Sequence, residues 1–89
     1  MEFEEKIAAL KQLGFQSVYQ WSAEPGEEDL KHTHPFDTRI LVLEGEIEIE
    51  MDDKMQIIKS GEEVDIPRGK LHSGKVGIGG CKYLVAEKH

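Results

Sequence analysis

Between Thr38 and Met51 the chain reads TRILVLEGEIEIEM, and its second half alternates without exception. Ile47, Ile49 and Met51 fall on one side, Glu46, Glu48 and Glu50 on the other. Period two is the period of a β-strand, whose successive side chains point to opposite faces. One apolar face backed by carboxylates describes an antiparallel sheet covered on one side and wet on the other. The three glutamates are therefore a solvated face rather than a site. A strand of this kind needs hydrogen-bonded neighbours and a second layer over its apolar face, so the rest of the chain must supply more sheet.

It does. SVYQWS, LKHTH, TRILVL, EIEIEM, MQIIK, EEVDIP, LHSGKV and CKYLVA read as about eight short strands. Between them, AEPGEED reads as a solvated acidic loop broken by Pro25 and Gly26, MDDKM as a hairpin turn, and Gly74, Gly77, Gly79 and Gly80 as a loosened connection. Ahead of the strands, Phe3, Ile7, Leu10 and Leu13 recur at helical spacing. Glu2, Glu4 and Glu5 sit near the positive end of that dipole, and Gly14 is placed as a stop. The pattern predicts an all-β single domain: a short helix over residues 1–14 lying outside the core, then a sandwich or small barrel over 15–89. Tyr19, Trp21, Phe36 and Tyr83 are assigned to the core, Cys81 to an apolar strand position, and His89 to a disordered end.

Size and charge narrow the partners. Eighty-nine residues support one core. Eleven basic against eighteen acidic side chains leave a net charge of -7, which repels phosphate backbones and anionic bilayers, so neither nucleic acid nor membrane is an expected partner. A single cysteine forms no intramolecular disulfide and fits a reducing compartment. MEFEEKIAALKQLGF carries acid where an export signal carries base, and no apolar run approaches a membrane span. The cytoplasm is the expected location. Short exposed strands on so small a core favour pairing of two copies, a homodimer.

The stretch HTHPFDT carries the chemistry. Pro35 holds His34 out of the helical region, and side chains two apart on an extended chain share a face, so His32 and His34 converge. His72 stands in a second conspicuous stretch, GEEVDIPRGKLHSGKV. Neutral imidazoles on a rigid sheet suit zinc, iron, nickel or copper better than hard, oxygen-preferring cations. The alternative is a hydrogen-bonded polar core without metal, which would leave three imidazoles in need of buried partners. If the strand is unbroken, His32, His34, Phe36, Thr38, Ile40 and Val42 share one face while Asp37 and Arg39 point away. A break in phase at Pro35 would turn Asp37 inward.

These two stretches resemble the cupins. The first family motif, G-x5-H-x-H-x3,4-E-x6-G, is met by Gly26, His32, His34 and Gly45; the second, G-x5-P-x-G-x2-H-x3-N, by Gly61, Pro67, Gly69 and His72. The resemblance spans residues 32–76, with a short fifteen-residue gap between Gly45 and Gly61. Thr38, or Arg39 under the longer spacing, stands where the family has glutamate, and Val76 where it has asparagine. The resemblance implies a double-stranded β-helix, the jelly-roll barrel. It also implies one divalent transition metal ion (zinc, iron, nickel or manganese) held by His32, His34 and His72, the fourth position falling to Thr38, Asp37 or water. Gly61, Pro67 and Gly69 shape turns. Three functions stay open at this point: an enzyme using the metal on a small molecule, a module that binds a small molecule or senses metal, and a structural dimeric barrel.

Overall fold

The computed structural model describes residues 2–89, and for residues 2 and 3 the backbone alone, so the expected burial of Phe3 lies outside the described residues. Among the described residues one helix precedes six strands. They are α1 (Glu2–Gln12), β1 (Ser17–Ala23), β2 (Glu28–His32), β3 (Asp37–Met51), β4 (Lys54–Lys59), β5 (Glu63–Ile66) and β6 (His72–Lys88). No helix among them is long and apolar enough to cross a membrane. The eight segments expected from the sequence become six strands because two pairs are continuous: TRILVL runs into EIEIEM as β3, and LHSGKV into CKYLVA as β6.

β3 and β6 are antiparallel from Asp37 opposite Lys88 to Met51 opposite His72. Midway the register shifts twice, between Val42 and Glu44 and between Gly45 and Ile47. Gly77–Gly80 fall between the partners of Gly45 and Ile47. The first shift adds one residue to β3, as a β-bulge does; the second sets residues 77–80 of β6 against Glu46 alone, and both interrupt the ladder where the strands bend. They also exchange the faces of β3: Ile40 and Val42 point to the core before the bend, Ile47 and Ile49 after it. Each long strand thereby serves two layers. The 81–88 half of β6 and the first half of β3 pair with β1 and β5, while the 72–76 half of β6 and the second half of β3 pair with β2 and β4. Two four-stranded antiparallel layers sharing their central strands form the double-stranded β-helix.

Between the layers lies a core of Ile40, Val42, Ile47, Ile49, Ile58, Val64, Ile66, Val76, Cys81 and Tyr83. The helix covers the other face of the first layer, burying Leu10 against Phe15, Leu41, Leu84 and Ala86. It ends in a Schellman motif. The Phe15 N–H donates to the Leu10 carbonyl (3.3 Å), the Gly14 N–H to that of Lys11 (3.0 Å), and Gly14 takes φ +100°. Leu13 therefore leaves the helix before its face is used and is 58% exposed, against the expectation that it packs inward. The expected hairpin at MDDKM forms with Asp52 and Asp53 at φ 56° and 60°, the doubly left-handed pair that a two-residue turn between right-twisted strands requires. Tyr19 and Trp21 depart from the expected core: β1 is a sheet edge, and both are about half exposed. The His89 N–H donates to Gln16 Oε1 (2.7 Å), and its ring lies 4.6 Å from Phe36.

Candidate metal centre

Strand pairing assembles the histidines. His32 ends β2 and His72 begins β6, and the two are opposite one another in the ladder. His34 follows β2 in an extended link. Its carbonyl accepts the Gly69 N–H (2.9 Å), so the turn of the second stretch pins the second histidine of the first. The ligand nitrogens of His32, His34 and His72 all lie within 4.8 Å of one another. His72 is 5% exposed; His32 and His34 are half-buried.

Two backbone carbonyls orient the rings. His32 Nδ1 donates to the Leu30 carbonyl (2.6 Å) and His72 Nδ1 to that of Lys70 (2.9 Å). A carbonyl only accepts, so Nδ1 carries the proton in each ring and Nε2 presents its lone pair, the orientation metal-ligating imidazoles take. His32 Nε2 and His34 Nε2 are 3.2 Å apart. Nitrogens sharing one tetrahedral zinc are roughly 3.4 Å apart at the usual bond length. Lone pairs this close repel unless a proton or a cation lies between them, so the donor set fits a metal ion. Burial, then the neighbouring His72 and His32, pushes the His34 pKa below the ordinary imidazole value, while Glu87 and Asp29 partly oppose the shift. His34 is thus neutral near pH 7, as ligation requires. Phe36 stacks on the His34 ring at 5.0 Å.

The cluster opens on a cavity of about 170 Å³ between the layers. Ile40, Ile49 and Ile66 make it apolar, Tyr83 forms a wall, and Thr38, Asp29 and Glu87 bring oxygen to it. Thr38 faces inward as the unbroken phase predicts and is 4% exposed, and its Oγ1 has no hydrogen-bond partner. Asp37 faces away. It lies on the exposed side with Arg39 and Phe15, and its Oδ1 accepts the Arg68 N–H (2.8 Å), holding the turn after β5. Pro35 does not invert the phase. Arg39 pairs with Asp65 at 2.6 Å on the same outer side. The acidic run read as a solvated loop is a turn only up to Glu27. Glu28 and Asp29 belong to β2, which is how Asp29 reaches the cavity. Glu87 also escaped the sequence reading, because the last strand was ended at Ala86. The missed signal is its phase with Cys81, Tyr83 and Val85, an acid closing an apolar alternation.

Asp37→Ala is expected to leave metal affinity unchanged within twofold and to cost about 1 kcal/mol through the lost bond to Arg68. Calorimetric titration of metal beside a urea melt separates the two effects. A large fall in affinity would return Asp37 to the site.

Comparison with known proteins agrees with the barrel. A family model described as cupin domain matches residues 19–85. Among solved structures, the chain is similar to a cupin-2 domain containing protein from Shewanella frigidimarina, with 26% identity and a TM-score of 0.70, covering 81% of this chain and 69% of that one. It is similar in fold to Bacillus subtilis oxalate decarboxylase, studied for its Mn(II) centres, with 17% identity and a TM-score of 0.74, covering 80% of this chain and 20% of that one. The DMSP lyase DddQ from Ruegeria pomeroyi matches with 23% identity and a TM-score of 0.74, covering 81% of this chain and 37% of that one. No curated protein matches the chain significantly. With two bent layers sharing β3 and β6, three histidines at the mouth of the cavity between them, and a family match over three quarters of its length, the chain belongs to the cupin family.

Proposed function

We propose that the protein holds one divalent transition metal ion through His32, His34 and His72 and binds a small polar molecule beside it. The observation that carries this reading is the pair of backbone carbonyls that fix Nδ1–H on His32 and His72, leaving the Nε2 lone pair of each free in a cluster whose ligand nitrogens all lie within 4.8 Å of one another. When bound, the metal supplies Lewis acidity at the cavity. A cavity of about 170 Å³ holds the volume of roughly five or six waters, so the second ligand is a molecule of a few non-hydrogen atoms. Isoleucines line the cavity for its carbon, and Asp29 favours a ligand that donates hydrogen bonds. The oxalate decarboxylase with Mn(II) centres and the DMSP lyase support small-molecule chemistry as the use of such a barrel. A homodimer through the β1 edge is part of the proposal, supported by the exposed Tyr19 and Trp21 there. So is a cytoplasmic location, supported by the buried free thiol of Cys81.

Elemental analysis of protein purified without added metal or a chelating column tests the reading, with about one transition metal ion per chain expected. No metal, together with no heat on titrating zinc(II), manganese(II), nickel(II) or iron(II), would end it. Acid adds a second check. Up to three protons compete for one ion, so metal content should fall steeply as pH drops below about 6.5. Equilibrium dialysis showing constant content down to pH 5 would rule out histidine ligation. The metal-free protein follows the same direction. The His34 pKa is lower in the folded than in the unfolded chain, so the unfolded chain takes up the proton first as pH falls. The contribution of His34 to stability is therefore fully present above about 6.5, the ordinary imidazole value, and declines below it.

A further inference from the structure

Position 38 is the place on β3 from which a carboxylate would enter the cavity, and it holds a threonine. Directly opposite Thr38 in the β3–β6 ladder stands Glu87. Opposed residues in an antiparallel pair share a face, with Cβ atoms roughly 5 Å apart, and both Thr38 and Glu87 line the histidine cavity. We infer that Glu87 supplies the bound metal with the carboxylate that position 38 lacks, displaced across one pair of strands. The inference rests on the three-histidine reading of the site.

Three features of Glu87 support it. Its side chain is only 18% exposed, yet among the described residues its recorded ionic partner is His89 (3.5 Å) and no lysine or arginine. Apart from that histidine, no side-chain cation of the described residues stands beside the carboxylate, so it is available to one. Its other oxygen accepts from Tyr19 Oη at 3.2 Å, a long and exposed hydrogen bond that a dication would readily displace. Turning from Tyr19 toward the histidines would also bring the carboxylate past Thr38, whose buried Oγ1 has no partner and would donate to it. Three neutral imidazoles leave both charges of the ion uncompensated in a partly buried site, and Glu87 would offset one. Asp29 is the weaker choice: it is exposed, shorter, and set on β2 ahead of the irregularity that separates it from His32.

Manganese(II) chloride and zinc(II) chloride titrated calorimetrically into metal-free wild type, Glu87→Gln, Asp29→Asn, Thr38→Glu and the double variant Thr38→Glu/Glu87→Gln test this. Glu87→Gln keeps size and hydrogen bonding. It should weaken manganese(II) binding at least tenfold and zinc(II) binding less, because the carboxylate oxygen matters most to the harder ion. Thr38→Glu should restore the lost affinity in the Glu87→Gln background yet add less than about threefold in the wild type, where Glu87 already ligates; an equal gain in both backgrounds would overturn the inference, because a merely structural Glu87 leaves the two changes additive. Unchanged manganese(II) affinity in Glu87→Gln overturns the inference while leaving the histidine site standing. A loss confined to Asp29→Asn overturns it in favour of Asp29. A wild type that binds neither metal overturns the histidine reading and this inference together.

Discussion

His72→Ala is expected to lower metal affinity at least 100-fold and to remove most of the thermal stabilisation that metal confers. His72 is the most buried of the three imidazoles, its ring is fixed through Nδ1 to the Lys70 carbonyl, and it lies opposite His32 in the ladder. An ion that binds only the folded state stabilises by about 4.1 kcal/mol at a thousand times its dissociation constant; a 100-fold weaker site at the same metal concentration retains about 1.4 kcal/mol. For a domain of this size the difference amounts to roughly 10–20 °C in Tm. The measurement is the gap between metal-loaded and metal-free melts, taken separately for each protein, so that the cavity left by the missing ring cancels. A gap as large in the variant as in the wild type would show that His72 does not coordinate.

Gly45→Ala is the second large effect, and it concerns the barrel itself. Gly45 sits at the bend of β3 with φ +81°, a conformation that costs an L-residue roughly 1–2 kcal/mol. A Cβ there would also run into the carbonyl oxygen of Gly80 and lie 3.1 Å from Cys81 Cα. Neither obstacle is the movable tip of a side chain, and Gly80 is itself held at φ +79° by the matching bend of β6. The expected loss is on the order of 4 kcal/mol, a large part of the stability of a domain this small. Gly61→Ala is the control. Its φ of +86° carries the same conformational cost, but no atom lies within 4 Å of the added carbon, so about 1 kcal/mol should be lost. Urea unfolding of both variants decides the matter; equal losses would mean that crowding between the two bends contributes nothing.

The contrast between those glycines bears on what could be read in advance. Both belong to the motif spacing, and of the two only Gly61 was read as a turn residue. Only the packed structure separates a glycine that two strands press upon from one in open solvent, because the obstacle to Gly45 lies thirty-five positions away along the chain. The strand count behaves alike. The segments of β3 were legible from their alternation, yet whether TRILVL and EIEIEM are two strands or one bent strand depends on a register shift that forms only against β6. Trp21 was assigned inward on the strength of its apolar ring and is 49% exposed, since nothing local to SVYQWS reveals that β1 is a sheet edge.

Local sequence therefore determined what strand geometry enforces residue by residue. The helix and its glycine stop, the hairpin at Asp52-Asp53, and the inward face of Ile47 and Ile49 all follow from the two periods of the backbone and the few residues that tolerate positive φ. The tertiary structure alone decided which strands lie side by side, and with them the surroundings of the histidines. Asp29 and Glu87 enter the cavity because β2 and β3 each pair with β6 in one register, which sets Glu87 across from Thr38 and His72 across from His32. Register is a property of two segments far apart in the chain, chosen by burying one common apolar face. No periodicity within either segment encodes its partner, and a slip of one residue would have turned Glu87 out to solvent.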